Sequence, residues 1–506
     1  MRHFILFISC VVLISASSCR KDFSTIPSYG NLVFSKDTVF LDTIFKNIGS
    51  ATYNLKVYNR GPNAITIPRI QLEKGSASNY RLSVDGIPGK DFTDIDILAK
   101  DSIYVFIETT VNSNNQPTLL YTDKILFDNG ESQQNIDLIT LVEDANFIYP
   151  GKDPVSMRID SLRIDGQATT IKGRFLTDTE LIFTKEKPTV IYGYAAIPSN
   201  KTLTIEAGAR IHFHNNSGLI VDKKASLKVN GTPTEKVIFE GDRLENRFRQ
   251  TPGQWGTIWM RAGSKDNVIS HAQIKNGIVG ILIDSIGSAS APTLSIQNTE
   301  IYNHSNFGIL ARETNIEGHN LVIGAAGQAS LAATIGGTYN FTHSTFANYW
   351  NKGIRPLPAV LVNNFFQYTS DTGQEVTETR DLKAANFINC IFDGNNNIEF
   401  IIESADLGGI FNYTVKNCLI KFDDTNNVFE DVPEVDFENN TNYSGIILNG
   451  NPNFRNTQES DFIIGEKSEA VDKATTTSFN FDILGIDRTT NPDIGAYQHI
   501  IFEDKE

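Results

Sequence analysis

Six carboxylates crowd one late stretch of the chain: Asp393, Glu399, Glu403, Asp406, Asp423 and Asp424. Paired carboxylates can protonate a leaving oxygen and activate water, which is the chemistry of glycosidic bond cleavage. Glu399 and Glu403 are evenly spaced, so an unbroken strand would put both on one face, with Asp423 as a third member of the cluster. Acids on an outward face are more simply explained as solvated surface. A lyase would also need a base and calcium-binding acids placed together. No convincing catalytic set is evident, so no catalytic residue, metal or cofactor is expected.

Other residue types suit binding. The loop Gly241–Gly253 sets Arg243, Arg247 and Arg249 around Phe248, and guanidinium beside an aromatic ring suits an acidic or stacked sugar. Residues 367–383 form a second polar stretch carrying Tyr368, Glu375, Glu378, Arg380 and Asp381. Trp350 beside Tyr349 is a candidate sugar platform. For both loops, plain solvation is the competing explanation. His212 and His214 alternate on one strand, which would leave both on the surface; two imidazoles without a third ligand make a poor metal site.

These residues need a scaffold, and composition bounds it. The chain has 506 residues, 40% hydrophobic and 10% aromatic, and a net charge of −15. That is a folded protein of two or three domains. Nucleic acid is excluded as a partner, because phosphate neutralisation needs a basic surface. The N-terminus reads as a short basic start, an apolar run Phe4–Ile14, and small residues before Cys19, which describes a secretory signal. The run is too short to span a bilayer comfortably.

Ala16-Ser17-Ser18-Cys19 resembles a bacterial lipobox, with Ala16 in the place of the usual leucine. The resemblance implies lipidation of Cys19, loss of residues 1–18, and attachment to the outer membrane. Arg20-Lys21-Asp22-Phe23 resembles the surface-export signal of Bacteroidetes lipoproteins, which implies a face to the cell exterior. Five Asp-Ser/Thr-aliphatic triplets, starting at Asp37, Asp42, Asp101, Asp160 and Asp284, resemble the O-glycosylation sites of that phylum. Ordinary signal cleavage, with Cys19 left unmodified, is the alternative. Cys19, Cys390 and Cys418 would remain in the mature chain, and they form no disulfide framework.

After a tether (19–30), residues 31–146 alternate with period two between turn signals, such as Asp85-Gly86 and Asp128-Asn129-Gly130, predicting an antiparallel β-sandwich. The stretch resembles the immunoglobulin-like modules of bacterial surface proteins. Over 147–445 the texture changes, and His or Asn recurs three residues before Ile or Phe. The positions are His271, Asn298, Asn320, His343, Asn363, Asn389 and Asn417, with gaps of 27, 22, 23, 20, 26 and 28 residues. A strand-type period in the twenties predicts a solenoid with three strands per rung, in which the turn Asn tolerates a left-handed backbone. Cys390 and Cys418 follow the turn Asn in neighbouring rungs and should stack as a buried thiol pair. "TLTIEAGARIHF" through "PGQWGTIWM" (202–260) resembles the right-handed parallel β-helix family of bacterial surface proteins. Residues 446–506 resemble the closing segment of such proteins and are expected to cap an open end, with Asp487, Arg488 and Asp493 as a charged latch.

The expected protein is therefore all-β: an N-terminal antiparallel Ig-like β-sandwich followed by a capped right-handed parallel β-helix. Its expected role is non-catalytic binding of a polysaccharide or an envelope protein at the cell surface. The alternatives are a polysaccharide lyase or glycoside hydrolase, and a structural subunit of an outer-membrane assembly. "NTE" at 298–300 and "GHN" at 318–320 echo pectin-hydrolase-like motifs, but the turn-Asn column accounts for both.

Overall fold

The computed structural model describes residues 24–112, 118–286, 291–405 and 407–502; Cys19 and Asp406 lie outside them. The chain divides into two compact units, residues 1–144 and 145–506. Among the described residues both are built from strands and three-residue 3-10 turns, with no α-helix. No helix among them is long and apolar enough to cross a membrane.

In the first unit, alternation does what the pattern asks. Tyr53–Tyr58 buries Leu55 and Val57, and Ile65–Leu72 buries Ile65, Ile67, Ile70 and Leu72. A six-stranded and a five-stranded sheet contribute these residues to one shared core. Asp85 and Gly86 both take positive φ, 49° and 80°, the turn that lets Tyr80–Val84 fold back on Ile87–Gly89. The sandwich is not wholly antiparallel, however. Thr38–Phe45 runs parallel to Gln134–Glu143, and Ile26–Pro27 parallel to Ile65–Thr66. No hairpin joins either pair, so nothing forces them antiparallel.

In the second unit most strands pair in parallel with an equivalent strand one circuit later. Asn146–Ile148, Thr189–Ile191, Arg210–Phe213 and Val237–Gly241 form one such ladder. Two further ladders run through Tyr194–Ile197 and Thr202–Glu206, starting one strand earlier at Gly173–Phe175 and Ile182–Phe183. Inward positions align, so one apolar column runs Ile205, Val229, Ile269, Ile296, Gly318, Phe341, Phe387 and Val415. Gly318 is where the column makes room: a Cβ there would sit 2.7 Å from the Phe341 ring. Phe341 in turn stacks on Phe387 with ring centroids 5.5 Å apart.

The corner residues carry the left-handed backbone that the recurrent Asn suggests. His271, Asn298, Asn320, His343, Asn389 and Asn417 have φ of 49, 48, 51, 46, 57 and 49°. Their side chains bond along the stack: Asn320 donates to Asn298 at 2.8 Å, and Asn389 lies 3.0 Å from His343 Nε2. Asn363 does not belong to this column. It ends the strand Val360–Asn363, which pairs with 331–333 and 400–403 in a different ladder. The step from His343 to Asn389 is therefore a single circuit of 46 residues. It is lengthened by an antiparallel hairpin, Phe365–Thr369 with Glu375–Thr379. Cys390 and Cys418 are buried free thiols in adjacent circuits, with Cys390 N–H donating to Cys418 Sγ at 3.4 Å.

The tail runs along the stack, with Ile446 at its start packed against the main core. Phe462, Ile463, Ile483, Ala496 and Tyr497 cover Val322 and Ala347 on the outside of the stack. Ile464, Ala470 and Ile494 likewise cover Ile391 and Leu419. Ala496 N–H donates to Thr345 Oγ1 at 3.0 Å, and Gly495 N–H to Asn389 O at 2.9 Å. The reason is local: these outward positions are apolar and need cover. Of the expected latch, Arg488 is buried and donates to Ala496 O at 3.0 Å, and Asp493 accepts from His499 N–H at 2.6 Å. Asp487 only holds Thr489.

Candidate functional site

The strongest candidate grows from the first ladder of the second unit. Tyr149, Tyr192, His214 and Asp242 each follow an equivalent strand, so one stands above the next at a single corner. Their spacing is that of the circuits themselves. Tyr149 and Tyr192 have ring centroids 5.0 Å apart, and Tyr192 stacks on His214 at 4.3 Å. His214 Nδ1 lies 2.7 Å from Asp242 Oδ2. That hydrogen bond raises the His214 pKa against the opposing pull of burial and Arg243. Burial, with Asp242 and Tyr149 nearby, pushes the Tyr192 phenol up to about 12.

Beside this column opens a cleft of about 690 Å³, within the range usual for small-ligand sites. Tyr194 forms part of its wall and lies along the stack over two glycines. A Cβ on Gly218 would meet its ring at 2.6 Å, and one on Gly256 would meet its hydroxyl at 2.0 Å. Ile159, Ile171 and Pro150 add apolar surface, Lys152 and Lys172 add charge, and Asn215 and Asn216 add amides. Tyr149 and Ile159 stay 48% and 49% exposed, so apolar surface faces solvent at this point. Tyrosine rings, amides and lysines can hold a ligand by stacking and hydrogen bonds. No lining residue is a carboxylate, so the cleft has no acid–base pair to break a glycosidic bond.

The residues singled out from sequence do not assemble into one groove. Arg243 and Arg247 both lie over Phe248, at 4.0 and 4.7 Å from its centroid, and Arg243 is paired with Glu245 at 2.8 Å. Arg249 supplies a carbonyl to Asn276 Nδ2 at 3.0 Å. Trp350 is only 8% exposed, leaving little ring for a sugar to stack on; it borders a recess of about 60 Å³ with Tyr302 and Lys352. Tyr368 and Arg380 meet through Glu378, each 3.1 Å from it, on the hairpin.

The acids separate. Glu399 is fully buried, accepting from Arg355 Nη1, Ala359 N–H and Asn396 N–H, each at 2.8 Å, while Glu403 is exposed. They do not share a face, because the strand Phe400–Glu403 starts only after Glu399. Asp424 caps the amides of Val428 and Phe429. Asp423 and Asp393 do line one cavity, of about 380 Å³, with Lys421. His212 is buried at 2% exposure rather than on the surface, enclosed between the neighbouring circuits at Val190 and Glu240. Among the described residues no group of three or more His, Cys, Asp or Glu is placed to hold a metal ion.

The aromatic column is what sequence reading missed. Its signal is the repeated triplet Phe147-Ile148-Tyr149, Val190-Ile191-Tyr192 and His212-Phe213-His214, two apolar-flanked positions followed by a ring. The hairpin Ser161–Ile164 with Gln167–Lys172 intervenes between the first two and hides the repeat.

No family model matches the chain, and no curated protein does. Several solved structures show a likeness, three of them as follows. A family 123 glycoside hydrolase from Clostridium perfringens, described in terms of glycolipid glycan hydrolysis, matches 21% of this chain and 23% of its own length, at 14% identity and a TM-score of 0.16. The ASH/PapD-like domain 7 of human CEP192 matches 26% of this chain and 94% of its own, at 10% identity and 0.16. The catalytic unit of a thermostable GH87 alpha-1,3-glucanase from Streptomyces thermodiastaticus strain HF3-3 matches 72% and 79%, at 10% identity and 0.20. This chain thus spans about a quarter of the first of them. At these scores the likenesses identify no family and carry no function to this chain.

Proposed function

We propose that this chain is a lipid-anchored outer-membrane protein, facing the cell exterior, that binds a saccharide without cutting it. In this reading the first unit is an Ig-like spacer and the second a right-handed parallel β-helix. The parallel pairing of most strands with an equivalent one circuit later supports the latter. The observation that carries the binding role is the tyrosine-lined cleft with exposed apolar surface and no carboxylate in its wall. Sugar rings present apolar C–H faces and hydroxyl edges, which suits tyrosines flanked by amides. Titration calorimetry against an oligosaccharide panel tests it: Tyr194→Ala and Tyr192→Ala should each weaken binding at least tenfold, with the saccharide recovered intact. Unchanged affinity in both variants would sink the assignment. The anchor is tested separately by labelled palmitate, which Cys19→Ala should fail to take up.

A second reading, a glycoside hydrolase, has one observation in its favour. Asp393 and Asp423 share a cavity, and burial raises the Asp393 carboxyl, as a general acid requires. Asp393 already accepts from Tyr349 Oη at 2.7 Å and Gly394 N–H at 2.5 Å, which also suits a purely structural carboxylate. Release of reducing ends, abolished by Asp393→Asn in a folded variant, would establish this reading in place of the first.

A further inference from the structure

The charge around the aromatic cleft runs against the charge of the chain. The protein carries a net −15, yet the cleft is lined by Lys152, Lys172 and His214 and by no acidic residue. Lys172 Nζ donates to Ile159 O at 3.1 Å and to Ser161 Oγ at 3.0 Å, both neutral acceptors. Neither lysine has a carboxylate within ion-pair distance among the described residues, whereas some lysines elsewhere do. Lys185 pairs with Glu235, Lys201 with Asp178, and Lys236 with Glu300. His214 also lines the cleft, with Asp242 engaged on its Nδ1. The cleft thus sets two lysines without an ion-pair partner beside a wall of tyrosine, on an otherwise acidic protein.

We propose that the ligand of this cleft is an anionic saccharide, whose ring lies against the tyrosines and whose acid group reaches Lys152 and Lys172. The proposal rests on the saccharide-binding reading above and names its ligand class. The physical reason is selective attraction. A neutral sugar would leave the two ammonium charges without a counter-charge, whereas a carboxylate or sulfate supplies acceptors and a Coulombic attraction at short range. Repulsion by the acidic surface elsewhere would leave this cleft as the favoured landing place for such a chain. Lysine rather than arginine fits either acid group, because a point charge makes no demand on the geometry of its partner.

Two sources share this chemistry, a uronic acid and a sulfate ester, and one experiment separates them. The full chain is titrated with three oligosaccharides of equal length: oligogalacturonate, a sulfated dextran fragment and unmodified dextran. At least one anionic oligomer should bind ten times tighter than dextran, and the advantage should shrink as salt rises from 50 to 500 mM. Lys152→Gln with Lys172→Gln should remove that advantage, bringing the anionic oligomer level with dextran. Lys152→Arg with Lys172→Arg, which keeps the charge, should retain it and so excludes a general effect on folding. Whichever anionic oligomer wins names the source. Equal affinity for all three, untouched by the lysine substitutions, overturns the proposal while saccharide binding stands. No binding of any saccharide removes the saccharide-binding reading itself.

Discussion

Replacing Glu399 with Gln should unseat a loop rather than stop a reaction. The Arg355–Glu399 pair is 1% and 0% exposed at its two side chains. Glu399 accepts two bonds from the guanidinium and one each from Ala359 N–H and Asn396 N–H. Arg355 also holds Leu357 O at 2.7 Å and Asn395 Oδ1 at 3.0 Å, so the pair ties the segment after Trp350 to the strand Phe400–Glu403. Burial raises the Glu399 pKa, opposed by Arg355 and by the two amides. Glutamine keeps the shape but leaves a buried guanidinium without its counter-charge. Breaking a buried pair from one side costs about 3–5 kcal/mol. Removing both charges with Arg355→Met and Glu399→Gln should cost less than either single change, because no orphan charge remains. Urea unfolding gives the totals, and amide exchange over residues 349–359 locates the loss. A single-variant cost below about 1 kcal/mol, with unchanged exchange there, would refute the reasoning. Loss of a glycan-cleaving activity with stability intact would instead restore Glu399 as a catalytic acid.

Further perturbations follow from the same geometry. His304 is buried, with Gly277 N–H donating to Nδ1 at 3.1 Å and Nε2 3.2 Å from Ile274 O, and burial lowers its pKa to about 4. A histidine depressed on folding stabilises the fold above its unfolded value and loses that contribution as pH falls from about 6.5 toward 4. The loss reaches about 3 kcal/mol in acid, and His304→Gln should flatten the fall in urea midpoint across that window. Ile335 takes φ of 64°, a conformation that β-branched residues resist, so Ile335→Asn should raise stability by about 1 kcal/mol in the same assay. Gly256→Ala would drive a methyl into the Tyr194 hydroxyl, and calorimetry should show weaker saccharide binding with little change in unfolding midpoint. Cys390 and Cys418 should react with a thiol reagent only in denaturant, since both are buried.

Much of the scaffold was legible because a left-handed corner narrows the choice of residue. Asn or His at 271, 298, 320, 343, 389 and 417 marks that corner in the chain as plainly as in the fold. Asn363 misled because the motif is short, and the hairpin at 365–379 stretches one circuit until a chance match fills the gap. Glu399 misled differently: strand parity predicts which face a residue takes only where the strand has begun. The tyrosine column was harder still. Its members are ordinary strand-end aromatics until circuit stacking sets them in line, and only the repeated triplet betrays that register. The two lysines gave no signal, since what matters is that folding sets them beside the tyrosine-lined cleft.

The tail along the flank changes how the stack can come apart. Coils that touch only their neighbours melt from an end inward, one after another, each nearly independent of the rest. Here the final residues grip circuits laid down long before them: Ala496 binds Thr345, and Tyr497 Oη lies 3.4 Å from Glu300. A circuit under that grip cannot fray until the tail lets go, so several should be lost in one step. The grip also comes late, because the strand edges and apolar flank it covers exist only once those circuits have wound. Synthesis from the N-terminus thus leaves these circuits exposed until residues 462–497 arrive to bind them.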